Sequence, residues 1–241
     1  MTNELLLILS VFIIYGMVLL WFYLFGENGL YVFTALATII ANIEVMLFIR
    51  AFGLDQTLGN VLFGATFLIT DILSELYGKE KSRKTVYIGI LASICFIILS
   101  QSWLLYTPAF EDGMLESFKT VFSNIPRVMI ASLVVYAISQ VFDVFIYHKF
   151  WEFTTKKTGD ERKGLWIRNN ASTLTSQLVN SFLFTLFAFY GTQDTKTLIT
   201  TFLSSYVIFI ITSLVDTPAV YLARYLYENK KVNILGKIAR V

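Results

Sequence analysis

The sequence predicts an all-α integral membrane protein, a bundle of about seven transmembrane helices, and three observations carry that expectation. The 241 residues are 56% apolar and 16% aromatic but only 15% charged, with a mean hydropathy of +0.66, which is a membrane composition. Seven apolar runs are each long enough to cross a hydrocarbon core about 30 Å thick, which takes roughly 20 residues at 1.5 Å each. Polar residues within those runs recur at helical spacing, and so many long runs cannot all be packed inside so short a soluble chain.

The first run, about Leu5 to Phe25, follows no Lys or Arg and is longer than a signal-peptide core, so it is expected to be a retained helix. The others are about Leu30 to Ile49, Leu58 to Tyr77, Thr85 to Tyr106, Arg127 to Tyr147, Asn170 to Tyr190 and Leu198 to Tyr225. Between the fourth and fifth, Glu111, Asp112 and Glu116 alternate with Phe110, Leu115 and Phe118, the pattern of a short amphipathic helix on the outer interface. No linker-like or low-complexity tract interrupts the chain, so residues 1–241 form one polytopic domain.

Counted by connection, the 19 Lys and Arg divide 15 to 4 between alternate sides. The positive-inside rule then places the C-terminus and the two richest loops in the cytoplasm and the N-terminus outside. Topology accounts for these basic clusters, and a net charge of +2 gives no reason to expect a nucleic-acid partner. Cys95 stands alone and can form no internal disulfide, and with one histidine, His148, there is no Cys/His cluster for a metal. Gly78-Lys79 lacks the pattern of a nucleotide-binding loop, and nothing resembles a catalytic triad, so no cofactor and no enzymatic activity are expected.

The third run carries the most informative residues. Asp71 and Glu75 are four apart and share a helix face. A carboxylate near mid-membrane costs about 2.5–3.5 kcal/mol on insertion scales, so it faces a protein interior or a wet cavity. Such a residue marks a substrate or ion site, or else an ion pair that only holds helices together; Glu75, nearer the helix end, has the further option of reaching water. In the sixth run Asn170, Thr173, Gln177 and Asn180 fall on one face, with Ser172, Thr175 and Ser176 beside it. Interhelical hydrogen bonds average only about 0.6 kcal/mol, so this line exceeds what packing requires and suits the lining of a polar cavity.

Gln140 and Asp143 stand one turn apart in the fifth run, and Asp216-Thr217-Pro218 lies near the centre of the seventh, where Pro218 is expected to kink or unwind the helix. Asn42 in the second run is a further cavity candidate, whereas the pattern leaves the direction of its neighbour Glu44 open. The expected substrate-binding set is thus Asn42, Asp71, Glu75, Gln140, Asp143, Thr173, Gln177, Asn180 and Asp216. Phe63, Phe67, Tyr77, Phe182 and Phe184 are near enough in sequence to stack on a planar ring. Together these residues describe a carrier for a small polar solute.

Thr70-Asp71, Glu75, Tyr77-Gly78 and the basic run to Arg83-Lys84 resemble the signature of the queuosine precursor transporter family. Gln140 to Val144, Ser172-Thr173 to Asn180, and Asp216-Thr217-Pro218 add to the resemblance, which runs from about Asn42 to Arg224. It implies a transport core over residues 26–226, six helices preceded by an extra one, in an inner-membrane protein importing 7-deazaguanine bases such as the pre-queuosine bases or queuine. Asn180 departs from the Asp often found there in the family, which bears on substrate preference. Implied partners are the 7-deazapurine base and the lipid bilayer; a homo-oligomer is compatible with the sequence. The preferred reading requires no ATPase module, the alternative being the substrate-binding membrane subunit of an ECF-like, ATPase-driven importer.

Overall fold

The computed structural model describes residues 2–107, 109, 113–122 and 126–238. Its helices are α1 (Asn3–Phe25), α2 (Glu27–Glu44), α3 (Gly59–Tyr77), α4 (Lys79–Trp103), α5 (Met114–Phe122), α6 (Pro126–Thr158), α7 (Leu165–Phe189), α8 (Thr195–Glu228) and α9 (Ile234–Ile238); strands β1 (Phe48–Ala51) and β2 (Leu54–Thr57) form a hairpin. The seven long helices answer the seven apolar runs, and the protein is an all-α multi-pass membrane protein. Helices α1, α3, α4, α6 and α8 are apolar and long enough to cross a membrane by composition alone. Helix α7 has the length but misses on hydropathy because one face is polar, and that face is turned inward: Asn170, Thr173, Gln177 and Asn180 are all buried.

The bundle is organised around α3, which packs against α1, α2, α4, α6, α7 and α8 and buries 83% of its most apolar window, against 28–44% for the other four apolar helices. A helix surrounded by protein has no lipid-facing side, so its polar residues meet other helices rather than hydrocarbon. The outward faces of the surrounding helices are apolar, as at Phe12, Leu91, Ile98, Phe182 and Leu214.

Two boundaries depart from the sequence expectation. The second helix ends at Glu44, and Phe48 to Ala51 pairs antiparallel with Leu54 to Thr57. Phe52 and Gly53 form the two-residue turn with φ of 54° and 72°, the left-handed pair that suits a tight hairpin. A short apolar run does not distinguish strand from buried helix, and here the turn decides. The hairpin is tied to the start of α1, where Asn3 Nδ2 donates to Arg50 O at 2.9 Å and Glu4 Oε1 accepts from Phe52 N at 3.1 Å. Pro218 does not unwind α8, which stays helical from Thr195 to Glu228.

Helix α5 forms where an amphipathic segment was expected, with Phe118 and Phe122 packed edge-on to Trp103; Phe110, Glu111 and Asp112 lie outside the described residues. Helices α6 and α8, 33 and 34 residues long, span about 50 Å each. Both are longer than a membrane core requires and project at the end opposite the hairpin, where the basic residues gather.

Candidate functional site

The interior of the bundle is layered along α3. Nearest the hairpin is a cavity of about 30 Å³ lined by Asn60 and Phe63 of α3, Asn180, Ser181 and Phe184 of α7, and Ser205 and Phe209 of α8, among others. The Phe63 ring packs on Phe67, Tyr136 and Phe209 with centroids 5.5–6.2 Å apart. Two turns further along α3, about 12 Å, lie three buried carboxylates: Asp71 and Asp143, both 0% exposed, and Asp216, 1% exposed. They are close enough to repel one another, and among the described residues none forms an ion pair with a basic side chain.

Each carboxylate has a hydroxyl group beside one of its oxygens. Thr173 donates to Asp71 Oδ2 at 3.0 Å, and the Ser176 hydroxyl lies 2.7 Å from Asp143 Oδ1. The Tyr15 hydroxyl of α1 is within hydrogen-bonding reach of Asp216. One oxygen of each acid, together with Gln177 Oε1, is buried with no protein partner. Buried polar atoms without a protein partner leave room for a polar ligand, an ion or ordered water, and here they cluster on the three acids and Gln177.

One turn beyond, the layer changes character. Glu75 accepts from Arg168 twice, at 2.6 and 2.8 Å, from Arg224 at 3.2 Å and from the Tyr147 hydroxyl at 2.8 Å. Arg168 is fully buried, stacks on Trp151 at 4.3 Å and also donates to Lys163 O. This network joins α3, α6, α7 and α8 at the basic end of the bundle.

The family model described as "Putative vitamin uptake transporter" matches residues 57–223, which takes in all three acids and Glu75. The chain belongs to this family. A "Probable queuosine precursor transporter" of Bacillus subtilis (strain 168) is 36% identical over 218 residues, 90% of this chain and 93% of that protein. The "Queuosine precursor transporter" of Escherichia coli (strain K12) is 23% identical over 155 residues, 64% of either chain. No solved structure matches the chain.

Within the family-matched segment, the structure brings Asp71, Asp143, Asp216 and Thr173 together, with Gln177 one turn from Thr173 on α7 and Asn180 at the cavity. Gln140 is buried beside them but spent on α3, donating to Thr66 Oγ1 at 2.7 Å and accepting from Thr70 at 3.3 Å. Glu75 sits in the ion-pair layer with its oxygens occupied. Asn42 stands apart, its amide donating to Thr38 O and to Ser93 on α4; α2 reaches the cavity through Ala41 and Val45 instead. Of the aromatic candidates, Phe63 and Phe184 reach the cavity and Phe67 packs on Phe63, whereas Tyr77 packs on Phe22 and Tyr227, and Phe182 is 54% exposed on the outward face.

Sequence reasoning missed Tyr15, Tyr147, Arg168 and Arg224. A lone tyrosine in an apolar run carries no signal. The two arginines were counted as loop charges, although a carboxylate as deep as Glu75 calls for a cation on a neighbouring helix.

Proposed function

We propose that this chain imports queuosine precursors, 7-deazaguanine bases such as the pre-queuosine bases or queuine, across the plasma membrane as a self-contained carrier. The observation that carries the reading is the likeness to the Bacillus subtilis protein over nine tenths of this chain. The site chemistry supports it: a guanine-like base has donors that Asp71 accepts and acceptors for the Gln177 amide, while the Asn180 amide and the flat face of Phe63 offer the same kinds of contact in the neighbouring cavity. Asp71, Asp143, Thr173, Gln177, Asn180 and Asp216 are the proposed substrate-facing residues, and the Glu75 network closes the basic end beneath them. A cavity of about 30 Å³ holds about one water, against the several hundred Å³ usual for ligand sites, so the helices must part to admit the base.

The N-terminus is proposed to lie outside and the basic end in the cytoplasm, on the strength of the charge distribution. The reading is tested by expressing the chain in a host that lacks both queuine uptake and any ECF-like ATPase module. Restored uptake is expected; failure with the protein present in the membrane would overturn the self-contained carrier.

A further inference from the structure

We propose that Asp143 is a proton-binding site that couples movement of the base to movement of a proton; this rests on the transport reading above. Ser176 Oγ lies 2.7 Å from Asp143 Oδ1, 2.9 Å from Ser172 O and 3.1 Å from Thr173 O. A hydroxyl has one proton to donate. Were Asp143 ionised, all three neighbours would be acceptors competing for that proton. With a proton on Asp143 Oδ1, the acid donates to Ser176 Oγ, and Ser176 donates to the backbone of its own preceding turn. Asp71 differs: the Thr173 hydroxyl donates to its Oδ2, the arrangement of an ionised acid.

The surroundings fit one protonated and one ionised acid. The titratable groups around Asp143 are Asp71 on α3 and Asp216 on α8 at the same level. One turn on are Glu75 of α3, Tyr147 of α6 and Arg168 of α7, and Lys79 at the start of α4 lies over the Phe145 ring. The arginines are committed to Glu75, so among the described residues no side-chain cation pairs with the three acids. Nearby like charges deep in a low-dielectric interior favour uptake of a proton by one of them. Asp71 Oδ1, Asp143 Oδ2 and Asp216 Oδ1 all lack a protein partner, a state costly for three carboxylates at once and relieved when one of the three carries a proton.

The test uses purified full-length protein in liposomes with the membrane potential clamped at zero and labelled queuine as probe. One proton per base gives about tenfold accumulation for each pH unit by which the outside is more acidic, abolished by a protonophore. In Asp143→Asn, whose amide keeps a donor toward Ser176, accumulation driven by the pH gradient is expected to be lost, and whatever exchange of labelled for unlabelled queuine survives is expected to be independent of pH. The proposal is overturned if wild-type accumulation ignores the pH gradient, if a sodium gradient replaces it, or if Asp143→Asn accumulates like wild type. No exchange by wild type sinks the transport reading itself and the coupling with it. Infrared spectroscopy adds a reading independent of the variant: wild type in neutral buffer is expected to show the carbonyl band of a protonated carboxylic acid, and its absence overturns the proposal.

Discussion

Asp71 and Glu75 stand one turn apart on α3 and are held in opposite ways. Asp71 has one hydroxyl donor and one oxygen with no protein partner, so its burial is best offset by the substrate. Asp71→Asn keeps the shape and removes the charge. Binding of queuine is expected to weaken about ten- to hundredfold, the worth of a charged hydrogen bond at roughly 1.5–3 kcal/mol, while the melting temperature barely moves. Unchanged affinity in the purified variant would refute the recognition role. Glu75→Gln strips a buried ion pair of its anion and leaves Arg168, fully buried, without a counter-charge. The expected loss is about 3–5 kcal/mol, seen as a lower melting temperature and poor expression. The sequence placed both acids on one face, correctly, but it carried no sign of this difference: the partners of Glu75 come from residues 93 and 149 positions away, and no local pattern reports such pairings.

Element boundaries follow the same division between what is local and what is not. The polar line on α7 was legible because 3.6-residue periodicity places Asn170, Thr173, Gln177 and Asn180 together, and all four are buried. Single cysteines at these positions, in a Cys95→Ser background, are expected to react with small water-soluble thiol reagents and to be protected by queuine. Leu178 and Phe182, 42% and 54% exposed on the outward face, should be far less reactive, and equal labelling would argue against a polar pathway. The hairpin was not legible, because a stretch as short as Phe48 to Ala51 before Phe52-Gly53 fits strand and helix alike. Packing against α4 is tightest at Gly89, where a Cβ would collide with the Tyr136 hydroxyl, and the Tyr136 ring in turn rests on Phe63 at 5.7 Å. Gly89→Ala is expected to cost about 1–3 kcal/mol by overpacking, outweighing the roughly 1 kcal/mol of helix propensity that alanine gains. A rise in melting temperature would contradict it.

At the scale of the whole molecule, orientation rests on basic residues, and reporter fusions check it. Fusions at Gly29, Gly78, Gly159 and the C-terminus should report the cytoplasm, and those at Gly113 and Gly191 the outside; a cytoplasmic Gly113 would refute the arrangement. Arg168 and Arg224, being buried in the Glu75 network, contribute less to this bias than their number suggests, yet the remaining basic residues still favour the same side. The Glu75 network also has a mechanical consequence. Because one carboxylate is the common anchor of α3, α6, α7 and α8, none of the four can swing away at the basic end without giving up a hydrogen bond or ion pair at Glu75. Opening this end means separating buried charges as well as helices, a cost that holds it shut at rest and guards a small carrier against becoming a leak.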